Sequence, residues 1–254
     1  VSSFYSDGFT MTQYNVANDS DDTGVAWQWK ANGGTTSSNS NGTNITSTVQ
    51  ANTTAGFSIV TFTGTGNDGD SYGHGLSSAP ELVIPKRRDG STNWQSYAFD
   101  GGNSQYWYLN LTNAFVSTSG NSAASSSSVI TTDGSGDSNP NGGTVVSYCF
   151  HSVQGYSRIG RYKGNGIENG PFVYLGFKPQ WIFIKNTGAA EEGYIYDTKR
   201  DSDNPITKVI RVDSANAEAD ASALDIDFLS NGFKNRSDNA QLNSNGVTYF
   251  YMAF

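Results

Sequence analysis

The feature that most constrains the fold of this chain is an internal repeat. The segment GFSIVTFTGTG recurs as GYSRIGRYKGNG, and each copy is followed by a Gly-rich turn and then by APELVIPKR or KPQWIFIKN. Lys86 and Lys185 take the same place in the two copies. Self-similarity of this length is the signature of tandem structural units. We therefore predict two full repeats, residues 56–151 and residues 155–254.

Both repeats close on an aromatic segment that alternates between two faces, TVVSYCF at 144–150 and GVTYFYMAF at 246–254. GVAWQWK at 24–30 has the same pattern, which is typical of a half-buried strand. We therefore interpret residues 1–34 as the closing hairpin of a preceding repeat, and residues 35–55, rich in Ser, Thr and Asn, as a flexible connector. Because a lone hairpin is marginally stable in water, we expect it to pair with another unit or with a second copy of the chain.

The composition favours strands. Of the 254 residues only 35% are hydrophobic and 15% are charged, and Gly, Ser, Thr and Asn supply much of the rest. Helix formers at helical spacing are scarce, with SANAEADASALDI at 214–226 the one weak candidate. Frequent turn signals suggest about six strands per repeat. The predicted fold class is all-β, with tandem antiparallel β-sandwich repeats of a jelly-roll-like kind.

The charge balance and the rare residue types exclude several classes of partner. A net charge of -8 is unsuited to nucleic acid, whose binding requires clustered Lys and Arg. No apolar run is long enough to span a membrane, so membrane insertion is not expected. The single cysteine, Cys149, lies on an alternating strand and is predicted to be a buried thiol. His74 and His151 have no neighbouring His or Cys, and we therefore predict no metal site and no cofactor.

Two short motifs resemble functional signatures. GDSYG at 69–73 fits the G-x-S-x-G pattern of a nucleophilic serine, but such a nucleophile needs a helix after its turn, and no helical period follows here. DSDDTG at 19–24 begins like a calcium loop, yet Lys30 stands where the bidentate glutamate should be. Turn chemistry accounts for these acids, and a calcium ion held by several loops is the alternative. We predict no catalytic residue.

The densest mixture of aromatic and amide side chains is NWQSYAFDGGNSQYWYLN at 93–110. Sugars bind proteins by laying their apolar faces on aromatic rings while amides and acids satisfy their hydroxyl groups. Three consecutive aromatic residues cannot all point inward on one strand, because alternation places the middle ring on the opposite face. At least one ring should therefore pack against the adjacent unit or another chain, or contact a glycan. The candidate ligand-binding residues are Trp94, Tyr106, Trp107 and Tyr108.

The order of segments in the chain resembles a repeat of virion structural proteins of marine phages, including those that infect cyanobacteria. The resemblance is carried by GFSIVTFTGTG, GHGLSSAPELVIPKRR, NWQSYAFD, YWYLNLTNAF, VVSYCFHSVQGYS and GPFVYLGFKPQWIFIKNTG. Proteins of this kind are described as tail-fibre-like or receptor-binding. The resemblance implies a non-enzymatic fibre or surface protein on the extracellular virion, which contacts the host cell envelope. Its expected partners are other virion proteins, copies of itself and a host surface glycan.

Two other functions fit the same sequence. The first is a purely structural role in capsid decoration or in a filament, in which edge strands pair with neighbours and no receptor is bound. The second is a carbohydrate-binding module of a secreted bacterial protein.

Overall fold

The computed structural model describes residues 3–5, 8–12, 21, 23–118 and 122–254 of the chain. It forms two compact units, Val1–Lys30 and Ala31–Phe254. The fold class is all-β, as predicted, and every strand ladder is antiparallel.

The first unit contains one short hairpin, formed by β1 (Ser3–Phe4) and β2 (Phe9–Thr10). Residues 23–30 form no strand, so the prediction that GVAWQWK closes this hairpin is wrong. Alternation of side chains is not sufficient for a strand, which also requires a ladder of backbone hydrogen bonds. Among the described residues of this unit, the ladder between β1 and β2 is the only one.

The second unit contains both predicted repeats. Two strands precede the first repeat, β3 (Ser37–Asn39) and β4 (Ser47–Asn52). The strands of the first repeat are β5 (Phe57–Thr63), β6 (Asp68–Gly73), β7 (Leu82–Arg87), β8 (Gln95–Ala98), β9 (Gln105–Tyr108), β10 (Val116–Ser117), β11 (Ala124–Ser125), β12 (Val129–Asp133) and β13 (Thr144–Phe150). The strands of the second repeat are β14 (Arg158–Lys163), β15 (Phe172–Tyr174), β16 (Trp181–Asn186), β17 (Gly193–Asp197), β18 (Lys208–Arg211), β19 (Ala219–Asp220), β20 (Ile226–Leu229), β21 (Gly232–Asn235) and β22 (Thr248–Ala253).

The two repeats have the same strand order. Each has a large sheet, β5-β13-β7-β8-β9-β10 in the first repeat and β14-β22-β16-β17-β18-β19 in the second. Each also has a small sheet, β6-β12-β11 in the first and β15-β21-β20 in the second. The internal match in the sequence therefore corresponds to two sandwiches of one topology.

The first repeat carries additional strands that the second lacks. β3 and β4 pair with each other, and β4 pairs with β5, so they extend the large sheet at that edge. The prediction of a flexible connector over residues 35–55 is therefore wrong where β3 and β4 lie. These parts of the segment form strands because the edge of β5 is open to β4, on which β3 then pairs. We refer to residues 31–55 as the extension.

Helix is rare in the described residues. The one α-helix, α1 (Ala240–Asn243), begins at Asn239, whose side chain accepts a hydrogen bond from the N–H of Gln241. The weak helix candidate at 214–226 is instead irregular, with β19 and a single 3-10 turn at Ser222–Leu224.

Each core lies between the large and the small sheet of its repeat. In the first repeat, residues that include Val60, Val83 and Cys149 of the large sheet meet Tyr72 and Ile130 of the small one. The equivalent core of the second repeat contains the following residues: Tyr162, Val173, Ile182, Ile184, Tyr194, Phe233, Tyr249 and Tyr251. The aromatic closing strands β13 and β22 are interior strands, paired on both sides, which explains why their inward residues are buried.

Candidate functional site

Trp107, one of the four predicted ligand-binding residues, lies between the two repeats. Its ring stacks on Phe115 at a centroid distance of 4.3 Å and contacts Phe250 of the second repeat at 5.4 Å. Only 1% of Trp107 is exposed. Alternation does place its ring on the face opposite its neighbours, but that face is covered by the adjacent repeat. As the structure stands, Trp107 therefore offers no surface to a ligand.

An ion pair lies beside this aromatic contact. Arg161 of the second repeat donates to Asp100 of the first through Nε at 2.8 Å and Nη2 at 3.1 Å, and to Gln105 through Nη1 at 2.6 Å. The carboxylate of Asp100 is 4% exposed, and a bidentate guanidinium pair of this kind fixes orientation as well as adding energy. The large sheets of the two repeats are thus held against each other by both apolar and charged contacts.

The other predicted site residues do not form one surface with Trp107. Tyr106 packs against the core of the first repeat and lies 6.0 Å from the ring of Tyr108, on the inward side of β9. Trp94 is half-buried, and the ammonium group of Lys86 lies 5.8 Å from the centre of its ring. Tyr106 and Tyr108 thus share one face of the sheet, whereas Trp107 occupies the other.

The serine motif lies within a strand. Ser71 is in the middle of β6, and its Oγ accepts a hydrogen bond from the N–H of Thr43 at 2.9 Å. His74 is fully buried, with Nε2 3.1 Å from the carbonyl oxygen of Ser126. Cys149 is buried as predicted, and burial raises the pKa of its thiol to about 12. The turn and helix that a nucleophilic serine needs are not formed at this motif, and half of the calcium-like stretch at 19–24, including Asp19, lies outside the described residues.

The extension covers the outer edge of the small sheet in the first repeat. The N–H of Ser71 donates to the carbonyl oxygen of Thr43 at 3.0 Å, and Ser47 Oγ donates to the carbonyl oxygen of Gly73 at 2.7 Å. The backbones come very close, because a Cβ on Gly42 would lie 2.1 Å from the carbonyl oxygen of Ser71. A Cβ on Gly73 would lie 2.0 Å from Asn39 Oδ1. Small residues are therefore required on both sides of this contact.

Asp70 ties the extension to the neighbouring loop. It accepts hydrogen bonds from Thr65 Oγ1 at 2.6 Å, from Asn44 Nδ2 at 2.7 Å and from Asn67 Nδ2 at 3.1 Å. These hydrogen bonds lower the pKa of Asp70, with Thr65 the largest cause. The carboxylate is thus held in its charged form by neutral donors.

The equivalent face of the second repeat is open and aromatic. β6 pairs Ser71 with Thr131 and Gly73 with Val129, whereas β15 pairs Phe172 with Lys234 and Tyr174 with Gly232. Phe172 and Tyr174 therefore occupy the places of Ser71 and Gly73. They are 45% and 62% exposed, while Val173 between them points into the core. We refer to Phe172 and Tyr174 as the aromatic platform.

A polar cleft of about 470 Å³ lies at the end of the sheet where β15 begins. The N–H of Asn235 donates to the carbonyl oxygen of Pro171, which places the residues after β21 beside the residues before β15. The cleft is lined by Glu168, Ser222, Ala223, Asp225, Arg236, Ser237 and Asp238.

One guanidinium group faces several acids in this cleft. Arg236 Nε pairs with Asp227 at 2.5 Å, and its side chain is 46% exposed. Burial raises the pKa of Asp225, the charges of Asp227 and Glu168 raise it further, and Arg236 opposes them. The cleft thus presents acceptors and one cation, and Phe172 at the start of β15 follows the residue whose carbonyl oxygen accepts a hydrogen bond from Asn235, although neither ring of the platform lines the cleft. Rings flanked by polar groups of both signs suit a ligand with apolar faces and many hydroxyl groups.

Sequence reasoning missed the aromatic platform because it weighed aromatic density instead of exposure. A usable signal was present in the alignment of the two repeats. GDSYG of the first repeat corresponds to GPFVY of the second, so that small outward residues are replaced by two large rings around one apolar inward residue. Such a replacement at alternate positions points to a change in what covers the sheet.

Two kinds of feature are absent from the described part of the chain, a cluster of metal-ligating side chains and a helix able to span a membrane. No group of three or more His, Cys, Asp or Glu side chains there has an arrangement that could hold a metal ion. None of the helices there has the length and apolar character needed to cross a bilayer.

Comparison with known proteins identifies a family. Searches among curated proteins and among solved structures gave no match. A family model described as a domain of unknown function, DUF7483, matches residues 1–254. The chain therefore belongs to the DUF7483 family.

Proposed function

We propose that this chain is a non-enzymatic surface protein of a phage particle, that its paired sandwiches form a rigid support, and that its second repeat contacts a glycan of the host envelope. The resemblance of its segments to virion fibre repeats supports the assignment to a phage particle. The all-β tandem architecture agrees with that assignment.

The observation that supports a glycan contact is the exposure of the aromatic platform. In the first repeat the same outward positions are covered by the chain itself, whereas Phe172 and Tyr174 remain exposed on a fold that is otherwise the same. Exposed rings are suited to a sugar because they accept its apolar face, and the polar cleft at the same end of the small sheet offers groups for its hydroxyls. The expected occupant is an oligosaccharide of the bacterial surface.

The first experiment locates the chain. Antibodies against residues 31–254 should label the tail fibres or the outer surface of intact particles of a marine phage that encodes this sequence. Labelling of the head surface alone, without any effect of the antibody on adsorption, would favour capsid decoration instead. A chain secreted by bacteria in the absence of particles would contradict the assignment to a virion.

The second experiment tests the contact with a microarray of bacterial surface polysaccharides. The double variant F172A/Y174A should lose at least tenfold in affinity for the polysaccharides that the unmodified chain binds, a change of about 1.4 kcal/mol. Tyr156→Ala is the matched control, because Tyr156 is 46% exposed but lies outside the platform. Unchanged binding by the double variant would remove the platform from the proposal.

A purely structural role is the second candidate, and one observation favours it. β14 is at the edge of its large sheet, whereas β5, its counterpart, is paired with β4. An edge strand offers backbone groups for strand addition from a neighbour. Sedimentation velocity distinguishes the two, since a filament module should associate with itself through β14, and the double variant F172A/Y174A should leave that association unchanged because the platform lies on the small sheet.

A further inference from the structure

A lysine and an aspartate are buried together in the second repeat, next to its contact with the first. Lys185 lies on β16, and Asp213 follows β18; their side chains are 1% and 0% exposed. Nζ of Lys185 lies 3.8 Å from Oδ2 of Asp213. A charged pair shielded from water normally closes to a hydrogen bond of roughly 2.7–2.9 Å. The pair is thus in contact without being joined by such a bond.

The hydrogen bonds around Lys185 suit a neutral amine. Its Nζ donates to the carbonyl oxygen of Thr112 at 3.1 Å and to the carbonyl oxygen of Glu191. A neutral amine has two N–H groups and one lone pair, so these two acceptors use both of its protons. The lone pair is then available to the third neighbour, Asp213.

The hydrogen bonds around Asp213 suit a neutral carboxylic acid. Oδ2 accepts a hydrogen bond from the N–H of Gly193 at 3.0 Å, as a carbonyl oxygen would. Oδ1 is buried and makes no hydrogen bond within the described residues. An ionised oxygen in that position would be costly, whereas a protonated one carries no charge.

The environment of Lys185 and Asp213 disfavours the charged form of each group. Burial lowers the pKa of Lys185 and raises the pKa of Asp213, while the mutual attraction of their charges opposes both changes. Burial is the larger cause in each case. Burial therefore disfavours the charged form of each group and brings the neutral amine and the neutral acid closer in energy to the ion pair.

We propose that Lys185 and Asp213 are joined by an intramolecular amide bond that the folded chain forms by itself. Nζ attacks Cγ of the protonated carboxyl group, and the N–H of Gly193 stabilises the negative charge that develops on Oδ2. The bond between Cγ and Oδ1 then breaks. Oδ1 leaves as water, carrying its own proton and one proton of the amine, and the other amine proton remains on the amide nitrogen. No oxidant, reductant or co-reactant is needed.

The first repeat supplies a natural control. Lys86 has the equivalent position on β7, but it is half-buried, and its Nζ donates to the carbonyl oxygens of Arg87 and Thr92 and to Thr92 Oγ1. No acidic side chain is among the hydrogen-bond partners of its Nζ. The sequence thus places the lysine in both repeats and the buried acid beside it in the second alone.

The bond would fasten β16 to the segment after β18 at the place where the carbonyl oxygen of Thr112 from the first repeat also lies. A covalent link between distant parts of a chain restricts the unfolded state, as a disulfide does. It would also replace two ionisable groups with a neutral amide at a site where charges are costly to bury.

Intact-mass spectrometry of the denatured chain tests the proposal. The unmodified chain should be lighter than its sequence by one water molecule, and a proteolytic fragment should contain both Lys185 and Asp213 as a branched pair. K185M and D213A should each restore the sequence mass, whereas K86M should retain the loss of water.

A further variant separates this chemistry from any other loss of water. D213N keeps the shape of the side chain but has an amide as the leaving group, so its chain should lose one ammonia molecule instead. An unmodified chain at its full sequence mass would overturn the proposal. So would a loss of water that persists in K185M.

Discussion

The outer faces of the two small sheets differ although the sheets themselves are alike. In the first repeat the extension lies on this face, and Ser71 and Gly73 are small because the backbone of the extension approaches them closely. In the second repeat the same positions are Phe172 and Tyr174, which are exposed. The comparison teaches that the inward residues of an edge strand are set by its core, whereas its outward residues are set by what lies on the sheet.

The largest expected effect comes from a variant that weakens the contact between the two repeats, on which the comparison of their faces depends. Trp107→Ala removes a buried ring that stacks on Phe115 and contacts Phe250, and it should lower the free energy of unfolding by about 3–5 kcal/mol. Urea unfolding followed by fluorescence measures this loss. Trp94→Ala is the control, because Trp94 is half-buried and lies outside the interface, so its effect should be clearly smaller. Equal losses for both variants would show that the interface does not couple the repeats.

A smaller effect is expected where the extension meets β6. Gly42→Ala places a Cβ against the carbonyl oxygen of Ser71, so the backbone must shift, at a cost of about 1–3 kcal/mol. Amide hydrogen exchange should accelerate at Ser71 and in residues 37–52, and exchange in β15 should remain as it was. Accelerated exchange spread evenly over both repeats would contradict the view that the extension acts on the first repeat alone.

The smallest expected effect is a difference in how the stability of the folded state depends on pH. Because the pKa of Asp70 is lowered in the folded state, its unfolded form binds protons at higher pH than its folded form. Its contribution to stability is full above the unfolded value of about 4 and is lost as the pH falls through the lower folded value. Asp70→Asn should therefore flatten the fall in stability on acidification, measured by thermal unfolding at a series of pH values.

Asp225 in the cleft of the second repeat should give the opposite sign. Its folded pKa is raised, so stability should increase as the pH falls through that value, and Asp225→Asn should remove this increase. If Asp70→Asn and Asp225→Asn change the slope of stability against pH in the same direction, the opposite pKa shifts inferred for the two carboxyl groups are wrong.

The framework of the fold could be predicted from the sequence because it depends on local periodicity. The match of the two repeats, the alternation in β13 and β22 and the scarcity of helix formers were sufficient for two antiparallel sandwiches. GVAWQWK and the extension were misread for one reason: whether a segment becomes a strand depends on an edge elsewhere in the molecule. The sequence of a segment does not show whether such an edge is free.

The predicted site was only partly accessible to the same reasoning. Alternation correctly separated Trp107 from Tyr106 and Tyr108, but the identity of the surface that covers Trp107 is a property of the packed repeats. The contact between Lys185 and Asp213 joins residues from different strands, so spacing along the chain gave no sign of it. Exposure of the aromatic platform likewise follows from the absence of an extension on that repeat.

The residues of the short strand β15 have different surroundings on the two sides of the sheet. Val173 alone contributes to the core, and the flanking rings contribute to neither core nor interface within the described residues. Mutations at 172 and 174 are therefore nearly invisible to selection for folding, since exposed positions usually change stability by less than about 0.5 kcal/mol. The surface chemistry of this edge can diversify rapidly between relatives while the protein beneath it stays the same.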